Sequence, residues 1–436
     1  MNFNRRRVLP LNRFLFVLLF ATAILLTPVN GTADSPAGWS AFHGPNHQGY
    51  VADGQIPSTW TDDDYSWRRK LGSSDVGSPV IAAGKVFYLA YKPDQNSIAL
   101  EALDLTTGDL LWSKPYPQSK HHLHLRNTYA SSTPAVDGQY VFVAWSEPTH
   151  TYLKCFDHQG KEIWSRDFGT WQSQHGFGTS PRVHGSMVLL FNSQQADQLK
   201  PGDVAGNSRM IAVDRRSGET LWETPLQTTR TCYGVPAVYQ AEDGRTQIID
   251  ANTGNGVFAI DAASGRMLWN LKVFDARCCS TPLIAGDIAI GSSGSGGGGN
   301  HLVGVRIPKN AGDQPVQVYR IDRGAPYVPT PVLKDNRLFF VSDKAGIASC
   351  IDAQTGDTLW SNRIGGNFGA SPIVVGDKML IISLDGMATI LRAGDQFERL
   401  GQVDLGGPVG ATPAFADGKL ILRVGDELRC LGDGDI

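Results

Sequence analysis

Short apolar runs, such as Val141 to Ala144, recur along the whole chain between turns built on Asp and Gly. The runs are strand-length, and both of their faces are apolar, as in sheets stacked face to face. The spacing of the turns gives the architecture. One phrase, a short strand ending in Asp, a turn closed by Gly and a second strand ending in Trp, occurs at Asp104, Gly108 and Trp112. It returns at Asp157, Gly160 and Trp164, at Asp214, Gly218 and Trp222, at Asp261, Gly265 and Trp269, and at Asp352, Gly356 and Trp360. The Asp carboxylate can accept hydrogen bonds from the N–H groups of its own turn, and Gly supplies the positive φ, so each phrase predicts a hairpin. Recurrence every 40–55 residues or so marks an array of like units.

A second signal keeps step with the first. Ser78, Thr133, Ser180, Thr281, Thr330, Ser371 and Thr412 each precede a Pro, and Val235 precedes Pro236 in the one gap of that series. Proline suits the first residue of a strand, where its missing N–H is harmless. Each unit therefore reads as four strands: A from the Pro, B after a Gly turn such as Asp137-Gly138, C before the repeat Asp, and D ending at an aromatic anchor. The anchors are Trp67, Trp112, Trp164, Trp222, Trp269, Tyr319, Trp360 and Phe397. Eight anchors match eight Pro starts, but Trp67 has no A–C strands before it and the unit from Pro413 ends after strand C. The expected fold is all-β: an eight-bladed β-propeller of four-stranded antiparallel blades, with an N-terminal strand completing the last blade and closing the ring.

The Asp-x-x-[ST]-Gly-x-x-x-Trp phrase resembles the repeat of the PQQ-type, quinoprotein-like eight-bladed propellers. That group includes the quinoprotein alcohol dehydrogenases and a propeller lipoprotein of outer-membrane protein assembly. The resemblance covers residues 60–432 and implies a fold, since one fold hosts many activities. It places residues 34–59 as an N-terminal arm and 433–436 as a polar tail.

The chain has 436 residues, a net charge of −3 and no long basic run after residue 13, which argues against phosphate neutralisation of nucleic acid. Residues 1–33 read as a secretory signal: Arg5, Arg6, Arg7 and Arg13, then an apolar run from Phe14 to Leu26, then small residues. An uncleaved anchor is the alternative and the only membrane contact expected. Export to the periplasm or cell envelope follows.

In such blades the D–A and B–C loops share one face. The C–D turns opposite are short and alike, so chemistry is expected on the D–A side. Arg126, Arg230, Arg277, Arg323 and Arg363 come from five D–A loops, and converging guanidinium groups suit carboxylates or phosphates. His121, His122, His124 and His175 are there too, without the spacing of a metal motif. Trp171, Tyr233, Tyr327 and Phe368 offer stacking surfaces for a sugar or peptide. The stretch Gly294 to Gly299 is a flexible B–C loop. Cys155, Cys350 and Cys430 occupy a small site in strand C and read as packing thiols. Cys232, Cys278 and Cys279 lie in neighbouring D–A loops; either Cys232 pairs with one of the others or Cys278 and Cys279 pair with each other.

The resemblance adds a specific expectation. Quinoprotein alcohol dehydrogenases set an adjacent Cys-Cys disulfide against PQQ, and Cys278-Cys279 is similarly placed, which would bring PQQ with calcium. No set of Glu, Asn and Asp positions matches the calcium ligands or the catalytic Asp. The candidate ligand residues are thus Arg126, His175, Arg230, Arg277, Cys278, Cys279 and Arg323, with no catalytic and no metal-binding residue assigned. The expected function is a non-catalytic binding or scaffold propeller with a protein partner or a small polar or anionic ligand. A PQQ-dependent oxidoreductase and a carbohydrate- or peptide-binding propeller are the alternatives.

Overall fold

The tryptophans and glycines of the repeat belong to one contact, made between blades rather than within them. In the computed structural model, which describes residues 1–2, 38–310 and 312–432, eight antiparallel sheets each carry the A–D strands expected from the sequence. The Trp67 indole donates to the Leu105 carbonyl at 3.0 Å, Trp112 to His158 at 3.1 Å, Trp164 to Arg215 at 3.0 Å and Trp222 to Ala262 at 2.9 Å. Each acceptor lies just after the repeat Asp of the next blade. The ring then lies flat on that blade's turn glycine: a Cβ on Gly108, Gly160, Gly218 or Gly265 would sit 2.6–2.7 Å from the indole. The same glycines have φ between 72° and 80°, so both backbone and space demand glycine.

Within its own blade each aromatic faces a small residue: Cys155 opposite Trp164, Ala212 opposite Trp222, Cys350 opposite Trp360, Cys430 opposite Trp67. These three cysteines are buried packing thiols. Phe397 is not the anchor of its blade. Strand D there is Arg399–Asp404, and Gly401 stands in the anchor register opposite Ile390. A side chain at Gly401 would meet the Ser58 carbonyl at 2.0 Å. The arm passes where the indole would lie, and Phe397 packs edge-on against Trp360 of the preceding blade.

The Ser/Thr-Pro signal has a second meaning in the structure. The N–H of Ser78 donates to the Thr133 hydroxyl at 3.2 Å, Thr133 to Ser180 at 2.9 Å, Val235 to Thr281 at 3.2 Å and Thr281 to Thr330 at 3.0 Å. The series continues from Thr330 to Ser371 at 2.9 Å, Ser371 to Thr412 at 3.0 Å and Thr412 to Ser78 at 3.0 Å. A belt of hydroxyls thus links the innermost strands around the central channel. It lacks one link, at Val235, which has no hydroxyl to accept from Ser180. Tyr65–Lys70 pairs antiparallel with Glu427–Leu431, so the last sheet is made from both ends of the propeller sequence.

The arm is more regular than its sequence suggests. Gly38–Trp39 adds a fifth strand beside Val80–Ala82, and Tyr50–Val51 pairs in parallel with Ile373–Val375. Between them the Ser40 carbonyl accepts from Val136 at 2.7 Å and the Gln48 carbonyl from Leu333 at 3.0 Å. The arm therefore crosses the channel, hydrogen-bonding to the inner strands of four blades near their A–B turns and packing against Phe415 of a fifth. Trp39 and His43 are fully buried there. The signal-like segment expected over residues 1–33 lies outside the described residues, apart from Met1 and Asn2. No helix among the described residues is long and apolar enough to cross a membrane.

Candidate functional site

Because the arm occupies the A–B side, the channel is left as a pit opening among the D–A and B–C loops. Its volume is about 780 Å³, and Phe42 of the arm is part of its lining. The lower wall is the hydroxyl belt; the upper wall carries the charge.

Arg277 is the most buried free cation of that wall, at 8% exposure. Its Nη2 donates to Gln174 Oε1 at 2.8 Å, its Nε has no acceptor, and no carboxylate pairs with it among the described residues. A backbone bridge to Gly294, with the Gly294 N–H donating to the Arg277 carbonyl at 3.0 Å, fixes its loop. Arg126 and Lys344 stand nearer the rim, and the Lys344 ammonium is hydrogen-bonded to the Gly296 carbonyl. His124 and His175 lie with ring centroids 4.4 Å apart. Burial, then the Arg277 charge, holds His175 down at about 4, and burial, then Arg126 and Arg277, lowers His124. Both imidazoles are neutral at pH 7, so they add no charge to the arginines.

The carboxylates at the pit are already committed. Asp75 receives Arg423 Nη2 at 2.8 Å, the Tyr91 N–H at 3.1 Å and the Ser73 hydroxyl at 2.5 Å. Arg423 also donates to the Gly77 and Leu89 carbonyls, both at 3.0 Å. Asp343, behind the wall, accepts the N–H groups of Tyr327 at 2.6 Å and Val328 at 3.0 Å, and burial raises its pKa. Asp75 and Arg423 cancel, leaving Arg126, Arg277 and Lys344 as a net positive lining.

Among the candidate ligand residues, Arg126, His175, Arg277 and Cys279 line the pit, and His124 joins them. Cys278 does not: it is packed in the apolar core with Cys232, and its N–H donates to Cys232 Sγ at 3.3 Å. Consecutive residues of an extended segment face opposite ways, so Cys279 turns to the pit and Cys278 to the core. All six cysteines are free thiols, and neither pairing expected from the sequence is present. Burial pushes the Cys279 thiol up to about 12. Arg230 and Arg323 lie outside the pit lining, and Arg363 is turned to the Ala345 carbonyl at 2.6 Å. Of the expected stacking residues, Tyr233, Tyr327 and Phe368 line the pit and Trp171 does not; Tyr327 and Phe368 are largely buried, and the Tyr233 hydroxyl is 3.0 Å from that of Ser173.

Sequence reading missed Asp75, Lys344 and Arg423. Only Arg423 carried a signal, as a charge within the apolar strand Lys419–Val424.

A calcium-bound quinone can be tested against these side chains. Calcium takes six to eight or so oxygen ligands, carboxylates among them. Asp75 is the one carboxylate of the lining and is held by three donors, and among the described residues no three His, Cys, Asp or Glu side chains group as metal ligands. The residues present do not fit that group.

The described residues form an eight-bladed β-propeller whose repeat resembles that of the PQQ-type propellers. The family model described as outer membrane protein assembly factor BamB matches residues 206–314 and 321–400. The outer membrane protein assembly factor BamB of Moranella endobia (strain PCIT) is 24% identical over 251 residues, covering 54% of this chain and 58% of that protein. The chain thus spans less than two thirds of that relative's length. Among solved structures, a europium-containing methanol dehydrogenase superposes with TM-score 0.63 at 12% identity, over 89% of this chain and 90% of that one. BamB from Moraxella catarrhalis gives 0.59 at 14%, over 84% and 99%. Quinohemoprotein alcohol dehydrogenase from Comamonas testosteroni gives 0.63 at 13%, over 93% and 82%. At these identities the structural likeness speaks for the fold alone.

Proposed function

We propose that this propeller is an exported, non-catalytic binding or scaffold protein of the cell envelope, which meets its protein partner on the face bearing the D–A and B–C loops. One observation carries the reading: the single carboxylate lining the pit, Asp75, is ion-paired with Arg423. Asp75 Oδ2 also accepts from the Tyr91 N–H and the Ser73 hydroxyl, and Asp343 accepts two backbone N–H groups, one at each oxygen. A carboxylate held as the partner of a buried arginine is a poor general base. The similarity to outer membrane protein assembly factors points the same way. The signal-like residues 1–33 support export.

Photo-crosslinkers at Arg230 and Arg323, on the D–A face, and at Thr107 and Ser217, in the C–D turns, test the face. Cross-links to one partner from the first pair alone support the proposal; cross-links from the turns alone overturn it. A dye-linked alcohol oxidation assay with PQQ and calcium tests the non-catalytic part, because turnover there would establish the oxidoreductase reading instead.

A further inference from the structure

We propose that the pit binds a small multivalent anion, bearing carboxylate or phosphate groups, directly through Arg277, Arg126 and Lys344 and without a metal ion. This concerns the centre of the face, and it stands or falls independently of the protein partner proposed above.

Three observations converge. The first is the unpaired charge of Arg277. An ion at 8% exposure is costly unless paired, yet its one side-chain partner is the neutral amide of Gln174 and its Nε has no acceptor. A guanidinium offers a planar fork of donors that matches a carboxylate or phosphate. The second is the sign of the lining. The Asp75–Arg423 pair is internally neutral, and the His124–His175 pair is neutral, so nothing in the lining balances the remaining three cations. The third is shape. The arm makes the pit blind, with Phe42 at its lining, and about 780 Å³ suits a small molecule rather than a folded surface. The Lys344 contact to the Gly296 carbonyl ties the glycine loop to the rim, and ligand binding would draw that ammonium toward the anion.

Metal-free binding follows from the same side chains. The cations that would take the ligand's negative groups would repel a divalent ion, and the only lining carboxylate is spent on Arg423.

The test is calorimetric titration of the whole protein with citrate and, separately, inorganic pyrophosphate, both in excess EDTA. One-to-one binding of either probe is expected, weakening as salt rises. Preference for citrate assigns carboxylates, and preference for pyrophosphate assigns phosphates. Arg277→Met should weaken binding by about tenfold or more, and the rim variant Arg126→Gln by a few-fold or so. Thermal unfolding separates ligand binding from bracing. Relief of an unpaired buried charge should leave unliganded Arg277→Met at least as heat-stable as the parent, whereas loss of a brace would lower its Tm. No heat with either probe at millimolar concentration, undiminished binding in Arg277→Met, or binding that requires calcium would each overturn the proposal. If Arg277→Met does not fold, undiminished binding in Arg126→Gln overturns it.

Discussion

The backbone N–H of Thr412 donates to the hydroxyl of Ser78 at 3.0 Å, across 334 residues of sequence. It joins the innermost strands of the last and first blades, and both residues are buried. Ser78→Ala would leave that N–H without an acceptor in a dry setting. The expected cost is about 1–3 kcal/mol, read as a lowered urea midpoint with an unchanged slope.

The tryptophan–glycine docking predicts a sharp positional contrast. Gly160 has φ of 80° and lies under the Trp112 ring, where a Cβ would come within 2.7 Å. Gly160→Ala should destabilise by about 1–3 kcal/mol. Gly138→Ala, with nothing within 4 Å of its Cβ position, should stay within about 0.5 kcal/mol. Equal melting temperatures for the two variants would contradict the docking account.

The arm behaves as part of the core. Trp39 is fully buried in the channel and packs against Gly44. Trp39→Ala should cost about 3–5 kcal/mol, measured by chemical unfolding. A near-neutral effect would mean that the arm is only loosely seated.

His43 gives this seating a pH signature. Its Nε2–H donates to the Pro372 carbonyl at 3.0 Å, which selects the Nε2–H tautomer. Burial holds its pKa down at about 4, and neighbouring His47 is also held well below its ordinary value by burial and by the Arg182 charge. The folded chain therefore takes up these protons less readily than the unfolded chain. Stability from the neutral rings is complete above pH 6.5 and declines as pH falls from 6.5 toward 4. For His43 the loss is on the order of 3 kcal/mol over that range. His43→Gln should flatten the decline between pH 6.5 and 4, as followed by thermal melts.

The thiols provide a chemical check. All six cysteines are free, and five are buried. Ellman's reagent should find less than one reactive thiol per native chain at pH 7.5 and six after denaturation. Four after denaturation would show that one disulfide exists.

The blades were legible because their signals are local and repeated. Asp104, Gly108 and Trp112 encode a hairpin whatever surrounds them, since the turn's hydrogen bonds and the glycine's φ are settled within a few residues. The eightfold count and the pairing of residues 65–70 with 427–431 follow from counting those hairpins. What the repeated residues contact was not legible. Trp112 meets the turn of the next blade, and the Thr133 hydroxyl serves the N–H of Ser78 in the previous one; both partners are chosen by blade stacking. Gly401 in place of an anchor aromatic makes sense only once the arm is seen to pass beside it. The site shows the same division. Charge and position marked Arg126 and Arg277 from sequence, but Arg230, Arg323 and Cys278 have the same credentials and point elsewhere. Side-chain direction at a loop depends on packing against other blades, and only the closed ring supplies that packing. The sequence by itself determined the number and form of the blades; the tertiary structure decided that the channel is blind, that Asp75 is spent on Arg423, and that Arg277 is left facing the pit without a counter-charge.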